Sequence, residues 1–160
     1  MNLHVDIQIA SSAPVPTEED IHNWIAAALA QLTTRDQAEV SVRLVDNDEM
    51  AQLNETYRGK KGTTNVLSFP AELPADLNLP LLGDIVICAP VVQAEAAQQG
   101  KSPGAHWAHM TVHGTLHLLG YDHIDEEEAE IMEALESAIL NTLNYSCPYQ
   151  TQHQSDEHRS

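Results

Sequence analysis

The segment HGTLHLLGYDH, residues 113–123, carries three histidines and a glycine whose spacing predicts both a helix and its end. His113 and His117 are one helical turn apart, so both imidazoles project from one helix face and can approach a common metal ion. Gly120 supplies the left-handed conformation that ends a helix, after which the chain turns back and His123 can reach the same ion. On a straight helix, His123 would lie about 15 Å from His113. The segment therefore predicts a three-histidine metal site that requires a helix end at Gly120.

Three neutral imidazoles leave the fourth tetrahedral position of a zinc ion open, which is typical of catalytic zinc sites. Such an ion activates a water and polarises a substrate oxygen, so hydrolysis is the predicted reaction class. We predict one Zn²⁺, although a three-imidazole site also suits nickel, copper or iron. His109 lies four residues before His113, and with His106 it offers an alternative pairing, but the position of Gly120 favours the later three histidines.

The residue after the first histidine is Gly114, and it bears on which type of bond the site can hydrolyse. Zinc peptidases of the metzincin type share this histidine spacing but carry a glutamate there as the general base. Glycine has no proton acceptor, so peptide hydrolysis is disfavoured. Arg58 instead suggests a phosphate ester, because its planar guanidinium matches phosphate geometry, and Lys60 and Lys61 reinforce this interpretation. The stretch RGKK alone is more typical of a solvated surface loop.

Outward from this segment, apolar periodicity and capping residues predict an α+β (mixed α/β) fold with a small mixed sheet of about four strands covered by about five helices. The metal site would lie on the helix that ends at Gly120. Strands are predicted at residues 3–9, 39–45, 65–69 and 83–89. Helices are predicted after the caps Thr17, Asp46 or Asp48, and Asp125, from Pro90 to about Gln99, and from about Pro103 to Leu119.

The length of 160 residues suits one domain. We predict a single metal-dependent hydrolase domain at residues 1–146 and a loosely ordered polar tail at residues 147–160. Cys88 and Cys147 are far apart in the sequence and are expected to be reduced structural cysteines. No secretory signal or long apolar run is visible, so we expect a cytoplasmic protein with no membrane association.

The formal net charge of −17 argues against binding to nucleic acid, because phosphate binding relies on Lys and Arg. The charge is unevenly distributed, however. Arg58, Lys60 and Lys61 supply three of the seven basic residues within four positions, whereas acidic residues crowd the range 122–136. The acidic range alone is sufficiently explained by solubility and by a favourable helix start.

Three blocks carry a family resemblance. They are LNETYRGKKGTTNVLSFP at residues 53–70, LLGDIVIC at residues 81–88, and AHWAHMTVHGTLHLLGYDH at residues 105–123. In order and approximate spacing these blocks resemble the YbeY endoribonucleases, which are bacterial rRNA maturation factors.

The resemblance implies that His113, His117 and His123 are zinc ligands and that Arg58 acts in catalysis. It also implies metal-dependent cleavage of single-stranded RNA in small-subunit rRNA maturation and ribosome quality control. We assign catalytic roles to Arg58 and His113, substrate binding to Arg58, Lys60 and Lys61, and partnership with RNA and the small ribosomal subunit but not with DNA. Asp122 or Asp84 is a candidate hydrogen-bond partner of a ligand histidine. The alternatives are a zinc metallopeptidase-like hydrolase and a non-catalytic ribosome assembly factor with a structural zinc.

Overall fold

The structure, a computed structural model, describes residues 2–33, 36–71, 79–122 and 124–145. These residues form a four-stranded sheet and five helices, which confirms the predicted α+β fold class. The elements in chain order are β1 Asn2–Ala10, α1 Glu18–Leu32, β2 Gln37–Val45, α2 Asn47–Arg58, β3 Val66–Pro70, β4 Leu81–Cys88, α3 Ala89–Gln98, α4 Pro103–Leu118 and α5 Glu126–Thr142.

The sheet has the strand order β1-β2-β4-β3. β1, β2 and β4 run parallel to their neighbours, whereas β3 is antiparallel to β4. β4 is therefore an inner strand with a partner on each side, and its residues Ile85 and Val86 pair with Ser68 and Leu67 of β3. The sheet is mixed, as predicted, and the strand order adds what the sequence pattern did not specify.

The two faces of the sheet carry cores of different size. Alternate residues of β4 point to opposite faces, so Ile85 and Ile87 join the large core while Val86 and Cys88 join a small cluster. Helices α1, α4 and α5 cover the large core, and Met50 of α2 packs in the small one. The Cys88 thiol is free and fully buried, and burial raises its pKa. Cys147 lies outside the described residues.

Capping contacts explain where the helices begin. The Thr17 hydroxyl accepts a hydrogen bond from the Asp20 amide at 3.1 Å, and an Asp125 carboxylate oxygen accepts one from the Glu128 amide at 2.8 Å. Both caps confirm the sequence prediction. Asp46 is the residue before α2, although its side chain makes no capping bond there. Instead, the Asp46 carboxylate accepts a hydrogen bond from Ser11, which follows β1.

Helix α4 is the central helix of the molecule and carries the predicted site. It contacts α1, α3, α5, β3 and β4, so that most of its residues are buried. It begins at Pro103 behind the Ser102 cap and ends before Gly120, whose φ of +98° lies in the left-handed region. The predicted helix end at Gly120 is confirmed. The predicted tail at residues 147–160 lies outside the described residues.

Candidate active site

His113 and His117 lie side by side on α4 at the wall of a cavity of about 840 Å³. Their Nε2 atoms are 3.0 Å apart, and their ring centroids are 4.6 Å apart. The spacing of four residues produces this proximity because it places both rings on one face of the helix. The two nitrogens thus converge on one small region of the cavity.

The helix ends directly after this pair. The amide of Gly120 donates to the carbonyl of His117 at 3.1 Å, and the amide of Tyr121 donates to the carbonyl of Leu116 at 3.1 Å. These bonds satisfy the last carbonyls of the helix in the manner of a glycine C-cap. Tyr121 and Asp122 then line the same cavity as the two histidines. His123, the predicted third ligand, lies outside the described residues.

Glu136 of α5 holds the other side of the His113 ring. It is fully buried and accepts hydrogen bonds from His113 Nδ1 at 2.5 Å and from His109 Nε2 at 3.0 Å. Burial alone raises the pKa of a carboxyl, but the bonds from His109 and His113 outweigh burial and lower the pKa of Glu136 to about 2. A carboxylate can only accept hydrogen bonds, so His113 Nδ1 must be the donor.

Sequence reasoning missed Glu136 and named Asp84 and Asp122 as candidate partners of a ligand histidine. The signal was present, because Glu136 lies on the apolar stripe of α5 formed by Met132, Ile139 and Leu140. An acid at a core position of an amphipathic helix needs a buried partner. Asp84 instead lies in a second depression, lined also by Arg43 and Glu49.

The predicted basic residues line the same cavity as His113 and His117. Arg58 is the last residue of α2, and its Nη2 donates to the carbonyl of Ser68 at 3.2 Å. Lys60 and Lys61 follow in an exposed loop. The side chain of Asn54 fixes this loop by donating to the carbonyl of Gly62 at 2.9 Å. Three cationic side chains and two imidazoles therefore share one opening.

The packing of α4 against the sheet favours a glycine at position 114. A Cβ atom at this position would lie 2.9 Å from Ile85 Cγ2, 3.2 Å from Ser68 Oγ and 3.3 Å from Val66 Cγ2. The Ser68 hydroxyl also donates to the carbonyl of Gly114 at 2.9 Å. Helix α4 approaches the sheet so closely here that a glutamate side chain at position 114 has no room.

The earlier histidines of α4 contact other groups. His106 Nε2 lies 2.9 Å from Glu95 Oε1 of α3, and the Glu95 carboxylate also accepts a hydrogen bond from Asn65 at 3.2 Å. Burial lowers the pKa of His106, and the bond with Glu95 only partly opposes this effect. His109 bonds to Glu136, as described above, and its ring centroid is 6.4 Å from that of His113. His106 and His109 therefore each contact a carboxylate, and neither lines the cavity with His113 and His117.

The two cavity histidines fit a metal ion. A ligand histidine usually donates a hydrogen bond from its second ring N–H to a carboxylate or carbonyl, as His113 does to Glu136. Two nitrogens bound to one tetrahedral zinc lie about 3.3 Å apart, close to the 3.0 Å between His113 and His117. Among the described residues, which exclude His123, no group of three or more His, Cys, Asp or Glu side chains is arranged to hold a metal ion.

The comparison with known proteins identifies the family of the chain. A family model described as "Endoribonuclease YbeY" matches residues 6–144. The chain belongs to the YbeY family. A relative named Endoribonuclease YbeY from Pseudomonas syringae pathovar tomato is 54% identical over 159 residues, covering 99% of this chain and 95% of that protein. The YbeY endoribonuclease of Cellvibrio japonicus is 56% identical over 146 residues, covering 91% of this chain and 82% of that protein.

A solved structure extends the likeness to the fold. The solution structure of a Thermotoga maritima protein matches with a TM-score of 0.55 and 23% sequence identity, covering 88% of this chain and 91% of that one. The YbeY-family chain shares its fold with that protein. In the part of the chain that is described, none of the helices combines the length and the apolar character needed to cross a membrane.

Proposed function

We propose that the chain is a zinc-dependent endoribonuclease that cleaves single-stranded RNA in small-subunit rRNA maturation and ribosome quality control. The observation that carries the proposal is the single cavity lined both by the His113–His117 pair and by Arg58, Lys60 and Lys61. Membership of the YbeY family supports the same reaction class. The proposed catalytic unit is residues 1–146, the tail is residues 147–160, and the proposed location is the cytoplasm.

Substrate binding is assigned to the cationic side of the cavity. The guanidinium of Arg58 can hold two oxygens of one phosphate and stabilise the negative charge that grows during phosphoryl transfer. Lys60 and Lys61, in the loop next to it, attract the flanking phosphates. The cavity is open and polar, and therefore suits a flexible strand whose backbone can bend into it.

The metal is assigned to His113, His117 and His123. When bound, zinc lowers the pKa of a water molecule and polarises an oxygen of the substrate. The Nδ1 proton of His113 is held by Glu136, and its Nε2 therefore carries the lone pair that can bind the metal. Arg58 orients the phosphate toward the histidines, so Arg58 and His113 are the proposed catalytic residues.

The position of Gly114 disfavours the peptidase alternative. A metzincin-type peptidase uses a glutamate directly after its first ligand histidine as general base. Here that position has no proton acceptor, and the contacts with Ile85, Ser68 and Val66 leave no room for one. For a phosphate ester, a bound metal would lower the pKa of the attacking water and so supply the deprotonation that a glutamate provides in a peptidase, while Arg58 would stabilise the negative charge on the phosphate.

The test compares two variants on a defined single-stranded RNA with and without added Zn²⁺. We expect Arg58→Ala to abolish cleavage while zinc content stays that of the wild type, and His117→Ala to remove both. His4→Gln, on the exposed face of β1, is the control and should cleave normally. Wild-type protein that binds RNA and zinc but never cuts would instead support an assembly factor with a structural zinc. Digestion of casein that a chelator blocks would support a peptidase.

A further inference from the structure

Glu136 is a buried acid that the proposed reaction does not use directly. It is fully buried and lies behind the His113 ring, outside the set of residues that line the cavity. A buried carboxylate is costly unless its oxygens are satisfied. Here Oε2 accepts from His113 and Oε1 accepts from His109, so each oxygen has an imidazole partner.

We propose that Glu136 is a positioning residue that fixes the tautomer and the ring orientation of His113, so that Nε2 faces His117 as a metal-binding lone pair. The inference rests on the proposed function in one respect, namely that His113 is a ligand. It adds a residue from α5, an element that contributes none of the predicted ligands.

The donor and acceptor atoms of the imidazole and the carboxylate support this role. A neutral imidazole carries one N–H and one lone pair, and a carboxylate has no proton to give. The 2.5 Å contact with Glu136 therefore places the His113 proton on Nδ1 and the lone pair on Nε2. With the opposite tautomer, a lone pair of Nδ1 would face the carboxylate, and the Nε2 atom that lies 3.0 Å from His117 Nε2 would carry the proton.

His109 acts on the same carboxylate from the other side. A carboxylate held at one oxygen can rotate about its terminal bond, whereas Glu136 is held at both. His109 and His113 are one helical turn apart on α4, so the two contacts fix the carboxylate along the helix axis. Removal of the His109 contact should therefore lower Zn²⁺ affinity, but by less than removal of the Glu136 charge does.

The first measurement uses the wild-type protein without metal. Imidazole ¹⁵N chemical shifts distinguish the two neutral tautomers, and we expect His113 to be protonated on Nδ1. Protonation on Nε2 would overturn the proposal without any variant being made.

The second measurement compares Zn²⁺ affinity, with Zn²⁺ alone as the probe, in Glu136→Gln and Glu95→Gln. A glutamine keeps an acceptor oxygen at only one of the two positions and places an N–H₂ donor at the other, so one imidazole loses its acceptor. We expect Zn²⁺ affinity to fall about 10- to 100-fold in Glu136→Gln, with a changed His113 tautomer. Glu95→Gln is the matched control, because it alters the carboxylate that holds His106 elsewhere on α4 and should keep wild-type affinity.

The outcomes separate this inference from the proposed function. A folded Glu136→Gln variant with wild-type Zn²⁺ affinity and an unchanged His113 tautomer would overturn the positioning role, whatever the protein does to RNA. Failure of the wild type to cleave RNA, together with loss of Zn²⁺ affinity in Glu136→Gln, would overturn the nuclease assignment and leave the positioning role in place. His109→Gln should show an intermediate affinity, and this second variant covers the case in which Glu136→Gln fails to fold.

Discussion

Gly114 lies where α4 closely approaches the sheet, and its missing side chain leaves the helix backbone open to a contact with β3. The helix carbonyl at this residue accepts a hydrogen bond from the buried Ser68, which ties the helix to β3. The carbonyl of Ser68 in turn accepts from Arg58. One residue of β3 thus links the histidine helix to the proposed phosphate-binding arginine, and the link depends on an unobstructed backbone at Gly114.

Substitution of this glycine tests how closely the helix packs. We expect Gly114→Ala to be less stable than Gly104→Ala by about 1–3 kcal/mol, the usual cost of overpacking a core. Both substitutions replace a glycine of α4, but only the first places a Cβ 2.9 Å from the stiff Ile85 side chain. At Gly104 the nearest atom is 3.7 Å away.

Urea unfolding of the two variants provides the measurement. Equal free energies of unfolding for Gly114→Ala and Gly104→Ala would contradict the close approach of α4 to the sheet.

At the scale of elements, the end of α4 sets the direction of the chain that leads to His123. Gly120 has a φ of +98°, and no atom lies near the position of an added Cβ, so an alanine would suffer backbone strain alone. Gly100, which follows α3, has the same property with a φ of +67°. The two residues form a matched pair of glycines with positive φ that differ in their distance from the histidines.

We expect Gly120→Ala and Gly100→Ala each to lose about 1–2 kcal/mol of stability, the cost of a left-handed conformation for a residue with a Cβ. Zn²⁺ affinity should fall only in Gly120→Ala, because that turn leads directly to the proposed third ligand. Thermal unfolding and Zn²⁺ titration measure the two effects. A Gly120→Ala variant that binds zinc as tightly as Gly100→Ala would argue against a role for His123.

The contact between α3 and α4 predicts a pH dependence of stability. His106 is buried among Glu95, Lys101 and His109, and its pKa lies below the ordinary value of about 6.5. As the pH falls through about 6.5, the unfolded chain takes up a proton before the folded chain does, so this histidine lowers stability at acidic pH.

We therefore expect wild-type protein to lose more stability between pH 7.5 and pH 5.5 than His106→Gln does. The difference contributed by this one group is at most about 1.4 kcal/mol per pH unit. Denaturant unfolding at several pH values measures it, with the exposed His4→Gln as the control. Parallel pH profiles for wild type and His106→Gln would show that His106 titrates alike in the folded and unfolded chains.

Across the whole molecule, a net charge of −17 opposes RNA, and only a local cluster can attract it. Arg58, Lys60 and Lys61 provide at most three phosphate contacts, so the logarithm of RNA affinity should fall with a slope of about −2 against the logarithm of salt concentration. Lys60→Ala with Lys61→Ala should make this slope shallower by about 1.4. RNA binding measured from low to moderate salt tests the expectation.

Arg43→Ala is the charge control for this measurement. Arg43 forms an ion pair with Glu49 at 2.6 Å and lines the second depression, away from the histidines. We expect its removal to leave the salt slope unchanged. If loss of Arg43 made the salt slope as much shallower as loss of a lysine does, RNA would bind to the overall charge distribution and not to the proposed cavity.

Local patterns in the sequence predicted the helices and strands because each pattern depends on interactions between residues that are close in the chain. The alternation of Leu3, Val5 and Ile7 predicted β1, and the caps Thr17 and Asp125 predicted the starts of two helices. The strand order and the antiparallel placement of β3 were not predictable, since they depend on contacts between distant segments.

In the candidate site, too, the local contact was predictable from the sequence and the long-range contact was not. The proximity of His113 and His117 follows from helix geometry, so a spacing of four residues was enough to predict it. Glu136 is 23 residues beyond His113, and only the packing of α5 on α4 brings the two together. Its position within an acidic range suggested an exposed residue, although its place on the apolar stripe of α5 carried the opposite signal.

The contribution of Glu136 also fixes an order of events during synthesis. The four described strands and the whole of α4 precede residue 136 in the chain, and its carboxylate therefore emerges from the ribosome after both cavity histidines. A partly translated chain can bring His113 beside His117 but has no anion to hold the His113 ring. The proposed metal site would therefore have its His113 ring held at both nitrogens only after α5 has been synthesised.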